Sequence, residues 1–126
     1  LYFSDNTQKI YRTNISGSSV QHIAGGGAST ANGVAATTAR LLLDARFTAT
    51  ADGQLWLADT TSDAIRRINT NGLIWTVAGT VGTTGDTGEG GPATSALLTN
   101  PTHIATYLGT HVAFIDAGSR SVRVIW

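Results

Sequence analysis

The chain has 126 residues, of which 41% are hydrophobic and 13% charged, and its eight basic and eight acidic side chains give a formal net charge of zero. This composition excludes a disordered tail, and the charge balance argues against binding to nucleic acid or to an anionic lipid surface. No apolar run approaches the roughly 20 residues that cross a bilayer, so membrane insertion is not expected. The absence of cysteine excludes disulfides and thiolate metal sites.

The predicted strands follow a pattern that recurs three times along the chain. Each copy begins with an apolar strand that ends in aspartate, at residues 1–5, 55–59 and 112–116. A short polar turn and a second apolar strand follow each time, and two of the copies continue into a further strand that ends at glycine. Recurrence at nearly constant spacing indicates a repeat architecture.

The central copy contains the whole unit. Strands are expected near residues 48–51, 54–59, 64–70 and 73–78. Asp52-Gly53 and Asn71-Gly72 are strong two-residue hairpin signals, because aspartate, asparagine and glycine tolerate positive φ. Four short strands joined by successive hairpins form an antiparallel meander, which is one propeller blade. The second strand is apolar at almost every position, which predicts that neighbouring blades cover both of its faces.

The chain resembles the NHL-repeat β-propeller family. The residues that carry this resemblance are LWLADTTSDAIRRINTNGLIWTVAGT at 55–80 and GDTGEGGPATSALLTNPTHIA at 85–105. The resemblance implies an all-β fold, namely an incomplete β-propeller of four-stranded antiparallel blades, about two and a half of them.

The expected organisation is one partial NHL-type propeller over residues 1–126. It divides into a blade without its inner strand (1–27), a linker (28–44), a complete blade (45–78), a glycine-rich linker (79–101) and a blade without its outer strand (102–126). Closed propellers have about four to eight blades, so the expected partners are further blades of the same polypeptide or a protein partner. Self-assembly of several copies is the alternative, because an open propeller exposes strand edges.

Neither a metal site nor a catalytic site is predicted. Asp86 and Glu89 are weak candidates for Ca²⁺, which prefers several oxygen ligands. His103 is a weak candidate because some relatives of the resembled family hold a metal with histidines around the central channel, but no histidine-rich set accompanies it. No cofactor is expected.

Several polar side chains have predicted structural or surface roles. Asn14 begins the sequon Asn-Ile-Ser and is a candidate for N-glycosylation. The aspartates at the strand ends, Asp5, Asp59 and Asp116, are expected to accept hydrogen bonds from turn amides.

Four further residues are candidates for contact with a partner, namely Arg66, Arg67, Trp75 and Arg123. The favoured function is a non-enzymatic β-propeller scaffold or interaction module, a segment of a larger structural protein. An extracellular or cell-surface location is expected, because a Thr/Ala-rich surface with one lysine suits an exported glycoprotein. Two alternatives remain open: part of a propeller enzyme of lyase or hydrolase type with a metal in its central channel, or an RNA-binding NHL domain.

Overall fold

The computed structural model describes residues 1–42, 46–109 and 111–126, which form eleven strands in three antiparallel sheets. Three single-turn 3₁₀ segments accompany the strands, at Ala36–Thr38, Thr60–Ser62 and Ala93–Ser95. The predicted all-β architecture is confirmed, and the three sheets are those of a partial propeller. The expected boundary between the first linker and the central blade, at 44 and 45, lies outside the described residues.

Each sheet contains an antiparallel meander from one copy of the sequence repeat, and the central sheet has one further strand from the preceding connection. The first sheet contains, in spatial order, β1 (Tyr2–Ser4), β2 (Lys9–Thr13) and β3 (Val20–Gly25). The central sheet contains β4 (Val34–Ala35), β5 (Arg46–Ala49), β6 (Leu55–Asp59), β7 (Ala64–Ile68) and β8 (Leu73–Gly79), in the order β4-β8-β7-β6-β5. The third sheet contains β9 (Pro101–Tyr107), β10 (His111–Asp116) and β11 (Ser121–Ile125), in the order β11-β10-β9.

The two glycine turns of the central sheet fall where predicted but differ in class. Only Gly53 and Gly72 have positive φ there, at 83° and 77°. The amide of Gly53 donates to the carbonyl of Thr50, and that of Gly72 to the carbonyl of Asn69. These are the bonds of three-residue hairpin loops with a left-handed glycine, not of two-residue turns. The side chain of Asn69 favours the wider loop, since its Oδ1 accepts two backbone amides beyond it.

The turns at the opposite ends of the sheets share a conformation. Gln8, Asp63 and Arg120 each have a φ between 53° and 66°, and each lies just before the strand that follows the aspartate. The three repeat copies therefore share a backbone conformation at positions where their side chains differ.

One strand was not predicted. β4 lies inside the segment expected to be a linker, and it pairs antiparallel with β8 through Val34↔Ile74 and Ala35↔Leu73. The amide of Gly33 donates to the Ile74 carbonyl at 2.8 Å. The connection from the first sheet thus becomes the fifth, outermost strand of the central sheet.

Two apolar cores lie on opposite faces of the central sheet. On the face toward the first sheet, Leu55 and Leu57 of β6 pack with Ile10, and on the other face Ala58 packs with Phe114. The prediction that β6 is covered on both faces is confirmed. The first core is formed by Ile10, Ala24, Ala36, Ala39, Leu41, Leu55, Leu57, Ile68 and Ile74, and the second by Ala58, Ile65, Ala78, Ala96, Leu98 and Phe114.

Candidate functional site

The candidate interaction surfaces are the outward faces of the first and third sheets, which we call the end faces. On the first sheet, Phe3 stacks on Tyr11 with ring centroids 5.4 Å apart, on the side away from the central sheet. On the third sheet, Ile115 is 41% exposed and its cross-strand partner Val122 is 72% exposed. Alternation along a strand requires this arrangement, because Phe114 points toward the central sheet and its neighbour Ile115 points away.

The repeat shows that these end faces correspond to buried positions elsewhere in the chain. Val122 is the counterpart of Ile10 and Ile65, which are 2% and 0% exposed. Phe3 is the counterpart of Leu57, which is 0% exposed beneath the first sheet, whereas Phe3 is 38% exposed. The same repeat position is therefore covered by a sheet inside the chain and open at its ends.

Two of the predicted partner contacts, Arg66 and Arg123, have their side chains engaged within the chain. The guanidinium of Arg66 is fully buried, 3.7 Å from the carboxylate of Asp59. The guanidinium of Arg123 is bound within the chain, because it donates hydrogen bonds to the carbonyls of Leu97 and Thr87 at 2.9 and 3.0 Å. The sequence also suggests that these arginines pair with the strand-end aspartates, and the structure contains the pairs Arg66–Asp59 and Arg123–Asp116.

The other two partner candidates lie in one row across the central sheet. Arg67 is half-buried, with its guanidinium carbon 5.6 Å from the centroid of the Trp56 ring. Trp75 is 38% exposed and is the cross-strand neighbour of Arg67. A side-chain carbon placed on Gly33 would lie 3.2 Å from the Trp75 ring, so the ring already packs closely on the segment before β4.

The three strand-end aspartates bind different groups. Asp5 accepts hydrogen bonds from the amides of Thr7 and Lys9, which is the expected turn geometry, and the Thr7 hydroxyl lowers the pKa of this carboxyl. Asp116 instead accepts the amide of Thr99 at 2.7 Å, in the connection between the sheets.

Asp59 departs further from the expected role, because among the described residues no turn amide donates to its buried carboxylate oxygens. Burial raises the pKa of Asp59, although the nearby Ser62 hydroxyl and the charge of Arg66 oppose this effect. Burial also lowers the pKa of Arg66. The pair is therefore an electrostatic contact in the interior of the sheet packing and not a cap on the turn.

The weak metal candidates are not brought together. Glu89 is exposed and pairs with the Nε of Arg123 at 2.9 Å, and Asp86 is exposed in the same glycine-rich connection. His103 is exposed on β9. Within the described ranges, no group of three or more histidine, aspartate or glutamate side chains could hold a metal ion.

Asn14 lies exposed in the loop between β2 and β3. Its Nδ2 donates to the Ser18 hydroxyl at 2.9 Å, and its Oδ1 accepts the Ser18 amide at 3.0 Å. The sequon is thus on a tight surface hairpin. Among the described residues, no helix is long and apolar enough to span a membrane.

Similar solved structures identify the fold of the chain. A structural-genomics protein of unknown function from Bacteroides thetaiotaomicron is 20% identical, with a TM-score of 0.78 over 98% of this chain and 31% of its own. An auxiliary nutrient binding protein from Bacteroides ovatus is 19% identical, with a TM-score of 0.66 over 99% of this chain and 34% of its own. A virginiamycin B lyase from Staphylococcus aureus is 14% identical, with a TM-score of 0.55 over 98% of this chain and 36% of its own.

The chain thus spans about a third of the length of these structures. No family model matches the chain, and no curated protein matches it in sequence. Likenesses at 20% identity or below establish the fold and not the activity. The chain has a propeller-like fold.

Proposed function

We propose that this chain is a section of a non-enzymatic β-propeller scaffold of the NHL type, in which both end faces bind further blades. The observation that carries the proposal is the 72% exposure of Val122 at a repeat position where Ile65 is 0% exposed. An apolar face of this kind, left open on a sheet whose repeat counterparts are covered, marks an interaction surface.

Further blades of the same polypeptide fit the end faces best. The interior junctions of the chain are made by the same repeat positions, so a repeat unit supplies a surface of matching chemistry. Similar structures about three times as long as this chain have room for such blades. Neighbours described as auxiliary nutrient binding proteins support a binding role, and we place the protein outside the cell or at its surface.

The proposal is tested by the association state of the isolated chain. Light scattering over a range of concentrations should give a mass that rises above 13.1 kDa, because the end faces bind one another when further blades are lacking. Val122→Asp should reduce this association by placing a charge in the buried contact. Leu108→Asp is the matched control, since Leu108 is 82% exposed in the turn between β9 and β10.

Two outcomes would contradict the proposal. One is a wild-type chain that stays monomeric at every concentration and does not bind a dye for exposed apolar surface. The other is equal loss of association in Val122→Asp and Leu108→Asp, which would mean that the end face is not the contact. In a longer protein that contains the adjoining blades, Val122→Asp should lower the melting temperature and Leu108→Asp should leave it unchanged.

A further inference from the structure

A cleft of about 280 Å³ lies between the first and central sheets, at the edge formed by the two glycine turns of the central sheet. Its floor includes Leu55 and Ile68, which belong to the apolar core. One wall is a row of cross-strand neighbours on the first sheet, Tyr2, Arg12 and Gln21. The cleft does not overlap the end faces, because it lies at a junction inside the chain.

The opposite wall is the turn between β7 and β8. Asn69, Thr70 and Asn71 line it. This turn is fixed in place, since the Oδ1 of Asn69 accepts the amides of Asn71 and Leu73 at 3.1 and 3.0 Å. The wall therefore presents its polar side chains from a rigid loop, as a binding site requires.

The cleft exists because the first sheet carries smaller side chains than the central sheet in the same row. The central sheet has Trp56, Arg67 and Trp75 at the positions of Tyr2, Arg12 and Gln21. There the guanidinium lies against an aromatic ring. In the first sheet, the Nη2 of Arg12 donates instead to the Oε1 of Gln21 at 2.8 Å, and the rest of the guanidinium has no hydrogen bond among the described residues.

The unused polar groups that line the cleft include several hydrogen-bond donors beside the charged guanidinium of Arg12. Among the described residues, none accepts a hydrogen bond from the Nδ2 of Asn69, the Nδ2 of Asn71 or the Nε2 of Gln21. Arg12 is the one side chain with a permanent charge among the described residues of the cleft, and no carboxylate of that set lines it. One cation surrounded by carboxamide and hydroxyl groups complements a negatively charged ligand that carries several hydroxyl groups.

We propose that this cleft binds a small hydroxylated carboxylate of the hexuronic acid class. The carboxylate pairs with Arg12, the hydroxyl groups bond to the carboxamides of Gln21 and Asn71, and a face of the sugar ring lies over the apolar floor. The volume suits a single sugar unit, because pockets for larger ligands begin at about 300 Å³. This ligand goes beyond the scaffold role proposed above, which concerns the end faces.

The test is a titration of the purified protein with glucuronate, followed by calorimetry and by backbone amide shifts in nuclear magnetic resonance. We expect saturable binding, with shifts at Gln21, Asn71 and Gly72. Arg12→Gln should weaken binding by about tenfold or more, because it removes the charge that pairs with the carboxylate. Arg120→Gln is the matched control: Arg120 lies in the turn before β11, and Gln8 holds the same backbone conformation in the first sheet.

Glucose is the neutral counterpart of glucuronate and should bind about tenfold more weakly or not at all. If Arg12→Gln does not fold, Gln21→Leu supplies a second variant, since it removes a carboxamide and should also weaken glucuronate binding. The proposal is overturned if glucuronate does not bind, if it binds Arg12→Gln as well as wild type, or if glucose binds equally well. Binding of inorganic phosphate without binding of glucuronate also overturns it, because the cleft would then recognise a negative charge and not the hydroxyl groups of the sugar.

The result is independent of the scaffold role. Glucuronate binding by a chain that shows no association would contradict the end-face proposal and leave the cleft proposal standing. Association without glucuronate binding would do the reverse.

Discussion

The guanidinium of Arg66 lies 3.7 Å from the carboxylate of Asp59, and both side chains are fully buried. The equivalent pair in the third sheet, Arg123 and Asp116, is closer at 3.2 Å and shares hydrogen bonds with the connection between the sheets. Two of the three repeat copies thus place an acidic and a basic side chain together at this position, and among the described residues only the later pair is joined by a hydrogen bond.

We expect Arg66→Met to destabilise the protein by about 3–5 kcal/mol, because it leaves the Asp59 carboxylate buried without its nearest counter-charge. The double variant Arg66→Met/Asp59→Leu should recover most of this loss, since replacing a buried ion pair by apolar side chains is often neutral. Urea unfolding at neutral pH measures both variants. A double variant that is as unstable as the single one would show that the pair stabilises the packing beyond its mutual neutralisation.

The raised pKa of Asp59 predicts the pH dependence of its contribution. Its folded-state pKa lies above the ordinary 3.8, so its contribution to stability is fully present below that value and is lost as pH rises through the folded pKa. Asp59→Asn should therefore gain stability relative to wild type as pH rises from about 3 to about 7. The charge of Arg66 does not change over this range, so it cancels from the slope.

Urea midpoints of wild type and Asp59→Asn across that range test the prediction. Asp5 provides a comparison of opposite sign, because the Thr7 hydroxyl lowers its pKa and its contribution is lost as pH falls through the folded value. A stability difference between wild type and Asp59→Asn that does not vary with pH would contradict the prediction.

Arg123 and Glu89 form an ion pair, but we expect the two side chains to contribute unequally to the stability of the protein. We expect Arg123→Met to cost about 3 kcal/mol or more, because it removes bonds to Leu97 and Thr87 and leaves Asp116 buried. Glu89→Gln should cost no more than about 1 kcal/mol, since the Glu89 side chain is 79% exposed. Chemical denaturation of the two variants measures the difference, and equal losses would contradict this assignment.

Gly79 and Gly72 both have positive φ, but only one has a close neighbour. A side-chain carbon at Gly79 would lie 2.4 Å from the carbonyl oxygen of Asp63, whereas at Gly72 nothing lies within 4 Å. Gly72→Ala should cost about 1–2 kcal/mol from backbone strain alone, and Gly79→Ala should cost clearly more. Thermal unfolding compares the two, and similar losses would mean that the turn at Asp63 shifts to make room.

Asn14 is expected to carry an N-linked glycan when the chain is secreted by a eukaryotic cell. It lies on an exposed hairpin loop, where a glycan can be accommodated at the surface. The intact mass of the secreted protein should exceed 13.1 kDa in sugar-sized steps, and Asn14→Gln should remove the excess. An unshifted mass for the secreted wild type would contradict the prediction.

The sheets and their hairpins could be predicted from the sequence because their signals are local. Apolar alternation and the glycines at 53 and 72 mark strands and turns within a few residues. β4 could not be predicted, because two residues carry no periodic signal and its pairing with β8 depends on the path of the chain. The predicted two-residue class of the hairpin turns was also wrong, since at the β7–β8 turn the side chain of Asn69 favours the three-residue loop.

The surface roles of the arginines were the least predictable part. Arg66 and Arg67 are adjacent in the sequence, yet a strand sends neighbouring side chains to opposite faces, and it is Arg66 that lies beside Asp59. The repeat does indicate the ion pairs, because Asp59 and Arg66 have the same separation in the sequence as Asp116 and Arg123. The row formed by Tyr2, Arg12 and Gln21 was missed because its members come from three strands.

β4 also has a consequence for the response of the protein to mechanical force. The connection that leaves the first sheet is hydrogen-bonded to β8 before the chain reaches β5. A pull on the first sheet first loads the hydrogen bonds that join Gly27 and Ser29 to residues 38–40, and the bonds of β4 and Gly33 to the central sheet are loaded next. Because both sets of bonds must break before the interior of the central sheet is loaded, we expect the blades to separate in steps and not in a single event.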